Sequence, residues 1–244
     1  MVASTINLPN IRKMFIPDEG YTIIDADLEK ADAQIVAWES GDEELKQIFR
    51  EGRNLYEENA RMIFNTASPS KEQYYKAKAG VHLTDYGGKA RRLAEVLGST
   101  IHEADIFQKR WFSAHPRILA WHKRVQIELK QYRKVTNPFG FERFYFDRVE
   151  SIFTEALAWV PQSAVAIVTN KGLLNIDNNI LTAQLLLQVH DSLVLQVPTE
   201  LTPDIYQTIH SNMLIPIPYS DPLTIPVSIA ASTKSWGDCK PVEV

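Results

Sequence analysis

The sequence holds a single cysteine, Cys239, in 244 residues, so no internal disulfide can staple it, and a reducing cytoplasm suits it. No apolar run of membrane-spanning length is evident, so no membrane is expected as a partner. Met1 to Asn10 lacks the basic and apolar blocks of a signal peptide. Tandem repeats, low-complexity tracts and linkers are missing too, which excludes solenoids and flexible strings of domains. An excess of positive charge is also lacking. Lys and Arg number 26 against 30 Asp and Glu, a formal charge of −4, and that balance alone argues against a nucleic-acid binder.

What is present is an ordinary globular composition, 45 % hydrophobic and 23 % charged, in a chain long enough for one large domain or two small ones. Charge is unevenly spread. Lys71, Lys76, Lys78, Lys89, Arg91 and Arg92 crowd one segment, and Lys109, Arg110, Arg117, Lys123, Arg124, Lys130, Arg133 and Lys134 follow. Acids concentrate between Asp25 and Glu58. Runs of charge are more often solvated helix faces than sites. A basic middle inside an acidic whole nevertheless suits a protein that holds phosphates in one place and metal ions in another.

The pattern predicts a strand over Tyr21 to Asp27, ending in acids, and a helix from Ala31 to Trp38 stopped by Gly41-Asp42. Glu44 to Phe64 reads as mostly helical. Ser70 is a plausible cap for a helix over Lys71 to Tyr86, which Gly87-Gly88 ends or kinks. Thr100 to Glu103 has the capping-box pattern, and its helix should stop or bend near Pro116. A following helix carries Ile118, Trp121, Val125, Leu129 and Tyr132 at helical spacing. Val135 to Phe146 predicts a short hairpin turning at Asn137 to Gly140. Ser151 to Leu174 reads as a helix, with Pro161 inside it or starting a second segment. Gln184 to Val197 is the clearest hairpin, alternating on both arms, with His190-Asp191-Ser192 as its turn. Thr202-Pro203 should start one more helix, and Thr224 to Ile229 a last strand. The fold class expected is α+β, a helical middle inserted into a strand-rich frame made from both ends of the chain.

Three features carry chemistry. Asp27 ends a hydrophobic strand and Asp191 sits at the tip of a hydrophobic hairpin. If those strands are neighbours, both carboxylates emerge at one end of the sheet, where they repel unless cations lie between them. Oxygen ligands that leave waters in place suit Mg²⁺, and two such ions, roughly 3.5–4 Å apart, activate an attacking oxygen and stabilise a leaving one in phosphoryl transfer. A lone strand-end aspartate is more often a turn or cap residue. The third feature shifts that balance. Lys78 and Tyr86 stand eight positions apart on one helix, a little over two turns, with Lys71, His82 and Tyr74 or Tyr75 near the same face. Lysines would meet phosphates, and a ring would stack near a base.

Together and in this order, these features resemble family A (Pol I-like) DNA polymerases. Asp27-Leu28-Glu29-Lys30-Ala31-Asp32 resembles motif A, Lys78 through Tyr86-Gly87 motif B, and Gln188-Val189-His190-Asp191-Ser192 motif C. Asn7-Leu8-Pro9-Asn10-Ile11, Pro161-Gln162-Ser163 and Ser235-Trp236-Gly237 resemble lesser family segments, so the similarity covers nearly the whole chain. Tyr86-Gly87-Gly88 and Ala158 to Gln162 resemble phage members in particular. Each motif is weak alone, and three in order is a strong signal.

The resemblance implies an antiparallel palm sheet carrying the aspartates, from residues 1–40 and 134–244, with inserted fingers at 41–133. It implies no thumb or exonuclease domain: a split subunit whose second chain supplies them, a minimal enzyme, or an engineered fragment. It implies template-directed DNA synthesis, in which a primer 3′-oxygen attacks the α-phosphate of a dNTP, with primer-template DNA and dNTPs as partners. Asp27, Asp191 and the backbone carbonyl of Leu28 would bind two Mg²⁺ ions, with Mn²⁺ as a substitute. Lys78 would meet the triphosphate, with Lys71, two turns away, expected to substitute in part for an arginine the family usually has at Tyr74; Tyr86 would close on the nascent pair, His82 would pack on the sugar and Asp32 would exclude a 2′-hydroxyl. Gln162, His190 and Arg143 would contact DNA. Ser192 replaces the family's glutamate, Asp32 is one methylene short, Tyr74 stands where an arginine is usual, and Ala158 replaces an asparagine. These departures keep two alternatives open, an RNA polymerase or primase-like activity and a non-catalytic DNA-binding accessory chain.

Overall fold

A computed structural model of the chain describes residues 9–202 and 204–244, so Asn7, Leu8 and Pro203 of the motifs above lie outside the described residues. In chain order the elements are β1 (Tyr21–Leu28), α1 (Ala31–Ser40), α2 (Glu43–Arg50), α3 (Leu55–Phe64), α4 (Lys71–Asp85), α5 (Ala90–Leu97), α6 (Ile101–Ala114), α7 (Pro116–Tyr132), β2 (Lys134–Thr136), β3 (Glu142–Phe144), α8 (Val149–Asn179), β4 (Gln184–Val189), β5 (Ser192–Pro198), α9 (Asp204–Met213), β6 (Pro216–Ile217), β7 (Leu223–Thr224), β8 (Val227–Ser232) and β9 (Lys240–Pro241). They fall into two compact units. A sheet unit holds the described residues up to Glu29 with Val165–Pro216 and Thr224–Val244, and a helical unit holds Lys30–Ala164 with Ile217–Leu223. The expected α+β class is what the chain adopts.

The sheet has strand order β4-β5-β1-β8-β9, and every neighbouring pair is antiparallel. Only the edge strand β4 alternates between exposed and half-buried residues. The alternation expected on the second arm gives way to continuous burial from Ser192 to Val197, because β5 lies between β4 and β1 and has no solvent face. Ile23, Val194 and Trp236 form a cluster with Leu187, Val189 and Cys239. Trp236 is fixed there by donating its indole N–H to Asp25 Oδ2 at 2.6 Å, with the Arg12 guanidinium 4.4 Å from its ring centroid. That locks the Ser-Trp-Gly segment against β1. Burial, and then the Asp25 carboxylate, push the Cys239 thiol up to about 11, so it is unreactive at neutral pH. The last strand is shifted from its expected place. Leu223–Thr224 belongs to a separate two-stranded sheet with β6, and the strand of the main sheet starts at Val227, just after Pro226, which cannot donate to a ladder.

In the helical unit, caps set most boundaries. Ser70 with Gln73 and Thr100 with Glu103 form reciprocal capping boxes at α4 and α6, as their spacing implies. The stretch expected to be mostly helical up to Phe64 splits in two. Asp42 accepts from the Leu45 N–H at the start of α2, and Asn54 from the Glu57 N–H at the start of α3, with Gly52 at φ +66° in the break. Pro116 is the first residue of α7, where its missing N–H is harmless. Pro161 lies inside α8, which runs unbroken for 31 residues and extends past both expected ends. Contrary to the expectation of no membrane-length run, α8 is by length and composition long and apolar enough to cross a membrane; half of that apolar stretch is buried inside the protein, as in a core helix.

Candidate active site

The sheet unit brings the two motif aspartates to one end of neighbouring strands. In the β1–β5 ladder Asp27 pairs with Ser192, which places Asp191 one residue beyond the register partner of Asp27. The Leu28 N–H donates to the Asp191 carbonyl at 3.2 Å, tying the end of β1 to the hairpin tip. The hairpin turns tightly at His190-Asp191, with His190 left-handed at φ 55°, a region histidine tolerates better than most side chains. Ser192 is therefore not part of the turn. It is the first residue of β5, is buried, and donates its hydroxyl to the Val189 carbonyl at 3.2 Å. The serine that departs from the family motif thus closes the hairpin on itself. Asp191 is half-exposed, and its carboxylate has no ion pair or hydrogen bond among the described residues. Leu28 is fully buried.

The helical unit carries the second group. Along and beside α4 runs a row of rings. Tyr75 packs on Tyr74 at 5.8 Å between centroids, Tyr74 on Tyr56 at 6.0 Å, Tyr56 on His82 at 5.6 Å and His82 on Tyr86 at 6.1 Å. The Lys78 ammonium stands 5.5 Å from the Tyr56 centroid, and Lys71 stands 6.0 Å from that of Tyr75. Both lysines are exposed. Lys71, Lys78, His82 and Tyr86 therefore border one aromatic row, as the helical spacing implies. The Tyr56 hydroxyl and His82 Nε2 share a 3.0 Å hydrogen bond. Burial first, and the Lys78 charge second, hold the His82 imidazole down at about 4, so it is neutral at physiological pH. Burial, and then the nearby Asp32 carboxylate, raise the Tyr86 hydroxyl well above the usual tyrosine range. Tyr56 is the member of this row that sequence reasoning missed. It comes from α3, with no motif around it, and only the fold brings it to α4.

After Tyr86 the chain turns through Gly87 at φ +74°, and the Gly88 N–H donates to the Leu83 carbonyl at 2.7 Å. A Cβ at position 88 would stand 2.3 Å from Leu83 Cδ2 and 2.7 Å from the Leu83 carbonyl oxygen, so backbone proximity requires this second glycine. Gln108 donates its side-chain N–H to the Gly88 carbonyl at 2.7 Å.

Behind Tyr86, Asp85 is fully buried. Its Oδ1 accepts the Trp111 indole N–H at 2.8 Å, and its backbone carbonyl accepts His122 Nε2–H at 2.7 Å. Burial pushes the Asp85 carboxyl up to about 8, against the lowering effect of the Trp111 bond and with a further push from Asp42. The folded state then keeps a proton that the unfolded chain releases near pH 4, so this group lowers stability progressively as pH rises from about 4 to about 8. Asp85→Asn keeps the acceptor and removes the titration. Melting curves are expected to show the variant more stable than the parent by more than about 1 kcal/mol at pH 8, with the gain vanishing toward pH 4. A gain that is the same at every pH would refute the buried proton.

The remaining candidates occupy separate places. Gln162 is exposed on α8, directly after Pro161. Arg143 lies on β3, where its guanidinium pairs with Glu155 and sits 5.0 Å from the Tyr145 ring centroid. His190 is exposed at the tip of the β4–β5 hairpin. Among the described residues no cluster of three or more His, Cys, Asp or Glu could hold a metal. The available donor set at the sheet end is two carboxylates and backbone carbonyl oxygen.

Comparison with known proteins gives consistent matches. The family model for DNA polymerase family A matches residues 3–238. A thermostable DNA polymerase I of Thermus filiformis is 32 % identical over 241 residues, 94 % of this chain and 29 % of that protein. A DNA polymerase of Mycobacterium phage D29 is 28 % identical over 193 residues, 78 % of this chain and 31 % of that one. The chain thus spans less than a third of the length of these curated relatives. Among solved structures, the polymerase domain of Pol1 from M. smegmatis, in complex with DNA primer-template and dNTP, is similar with a TM-score of 0.82 at 23 % identity, covering 95 % of this chain and 44 % of that one. That likeness establishes the fold.

Proposed function

The chain belongs to DNA polymerase family A, and we propose that it carries the nucleotidyl-transfer centre of a template-directed DNA polymerase, taking dNTPs and primer-template DNA in a bacterial or phage-infected cytoplasm. The observation that carries this reading is the pairing of β1 with β5, which sets Asp27 and Asp191 at one end of adjacent strands.

Asp27, Asp191 and the Leu28 carbonyl would hold Mg²⁺, or Mn²⁺ in its place. The fit rests on donor chemistry. All three are oxygen ligands, they are too few to enclose an ion, and the Asp191 carboxylate has no competing partner among the described residues, as suits a hard cation that keeps water and substrate oxygens. When bound, such ions supply activation of the attacking 3′-oxygen and neutralisation of the leaving pyrophosphate. The chain's own side chains do the rest. Lys78, with Lys71 farther along the row, binds triphosphate oxygens. Neutral His82 offers a ring to the sugar without adding charge. Tyr86 presents its ring to the nascent pair, and its hydroxyl stays protonated at any working pH. Asp32, acting on that hydroxyl, narrows the space for a 2′-hydroxyl. Gln162 and His190 contact the duplex near the new bond, and Arg143 does so on exchanging Glu155 for a phosphate.

The test is incorporation of dNTPs against rNTPs on one primed template. Extension with dNTPs is expected to be at least about tenfold faster, and Asp32→Ala to narrow that gap. Equal rates in the parent chain would replace this reading with the RNA polymerase-like alternative. DNA binding with no incorporation of either substrate would favour an accessory chain.

A further inference from the structure

Where two helices end against the face of a third, the helical unit holds a cavity of about 380 Å³. It is lined by Met62 and Phe64 from the end of α3, Leu97 from the end of α5, and Ile106, Phe107 and Arg110 along α6. Left-handed residues stop the two helices there, Asn65 at φ 47° after α3 and Gly98 at φ +67° after α5. Leu97 and Phe107 are buried, whereas Met62 and Arg110 are exposed and stand at the mouth. No lining residue belongs to the aromatic row of α4 or to the aspartate end of the sheet. Protein interiors leave few voids larger than a water molecule. This one falls within the span of small-molecule sites, roughly 300–1,000 Å³.

Its chemistry selects the occupant. The walls are two rings and three aliphatic or thioether side chains, so the body of a ligand must be apolar. Two charges border the cavity, Glu103 and Arg110 on one face of α6, seven positions and about 10 Å apart. Glu103 is already engaged, because its Oε2 accepts both the N–H and the hydroxyl of Thr100 at 2.8 Å in the cap of α6. An ammonium ligand would have to draw that carboxylate from the cap. Arg110 has no ion pair among the described residues. Its guanidinium offers a fork of N–H donors that matches a carboxylate, so the available charge at the mouth is positive and calls for an anion.

We propose that this cavity is a small-molecule site for an apolar monoanion, a ring or short alkyl chain bearing one carboxylate. The apolar body lies on Leu97, Ile106 and Phe107, and the carboxylate meets Arg110. Such an occupant also braces the helix that carries Lys78 and Tyr86. Leu97 lies on α5, and its Cδ2 is 3.3 Å from the place a Cβ on Gly80 of α4 would take, so a ligand packed on Leu97 presses α5 onto α4. The site needs no metal, nucleotide or DNA, and it stands whether or not the chain extends a primer.

The test is isothermal titration calorimetry of the full chain with octanoate, with octanol and octylammonium as neutral and cationic controls of equal length. Octanoate is expected to bind saturably with a Kd of about 1 mM or tighter and to raise the melting temperature, and octylammonium to bind at least about tenfold more weakly. Arg110→Gln, which touches no core contact, is expected to weaken octanoate at least about tenfold and to change octanol by less than about threefold. Ile106→Trp fills the cavity and should abolish binding of all three. Should circular dichroism show that variant misfolded, Met62→Trp at the exposed mouth takes its place. Absence of saturable octanoate binding, equal Kd values for octanoate and octylammonium, or octanoate binding that survives both the Arg110 and the filling variants would overturn the proposal.

Discussion

Asp191→Asn is expected to reduce single-turnover primer extension by about a thousandfold or more while leaving the fold and DNA binding intact. The amide matches the carboxylate in shape but carries no charge, and it cannot neutralise a cation at the sheet end. Its neighbours give no reason for structural damage. The Asp191 carboxylate makes no contact that holds the hairpin, whose closure rests on the Leu28 N–H meeting the Asp191 backbone carbonyl and on the Ser192 hydroxyl meeting Val189. Asp27→Asn is expected to do comparable harm to the rate, and the double variant to be little worse than either single one, because groups that act as a unit do not add. Multiplicative losses, or a single variant that keeps a tenth of the parent rate, would separate the two aspartates and remove the shared site.

The second large effect belongs to Lys78. Its ammonium is exposed, has no ion pair among the described residues and stands over Tyr56, so its removal empties no buried space. Lys78→Ala is expected to lower kcat/KM for dNTP by about a hundredfold, the scale of losing one charged stabiliser of a transferring phosphoryl group. Lys78→Arg should recover part of it by keeping the charge with a different donor geometry. Lys71→Ala, at the Tyr75 end of the row, should cost markedly less, and the same kinetics would show it. The His82 imidazole provides an independent readout. The Lys78 charge is the second cause holding it at about 4, so Lys78→Ala should let its pKa rise, as NMR of the ring would reveal. A kcat/KM within a few-fold of the parent would remove Lys78 from the nucleotide site.

Much of this was legible in the sequence because it is local. Capping boxes at Ser70 and Thr100 are read from spacing alone, and both are present as bonds. The QLLLQVHDSLVLQV hairpin announces itself by its apolar arms, and Asp27 by its place at the end of YTIIDAD. Adjacency of those strands was a conditional expectation, and the β1–β5 ladder fulfils it. The rest depended on distant partners. The helix α5 has only eight residues, and its basic start hides the apolar face of Leu93, Ala94 and Leu97. Their burial is visible only where Leu93 and Leu97 close on Gly80 of α4. The break between α2 and α3 follows from Asn54 acting as a cap, which competes poorly with helical periodicity in a sequence reading. Full burial of β5 could not be told from half-burial without its neighbours. Tyr56 and Asp85 owe their significance to α3, α6 and α7 converging on α4, a property of the fold and of no single segment.

The most direct measurement is extension of a labelled primer on a short template at low salt, with all four dNTPs, in Mg²⁺ and in chelator. Elongation by the 244-residue chain is expected in Mg²⁺, with none in chelator and none by Asp191→Asn in Mg²⁺. Elongation that persists in chelator or in the Asp191 variant, or a folded, DNA-bound chain that adds no nucleotide in Mg²⁺ or Mn²⁺, would contradict that expectation.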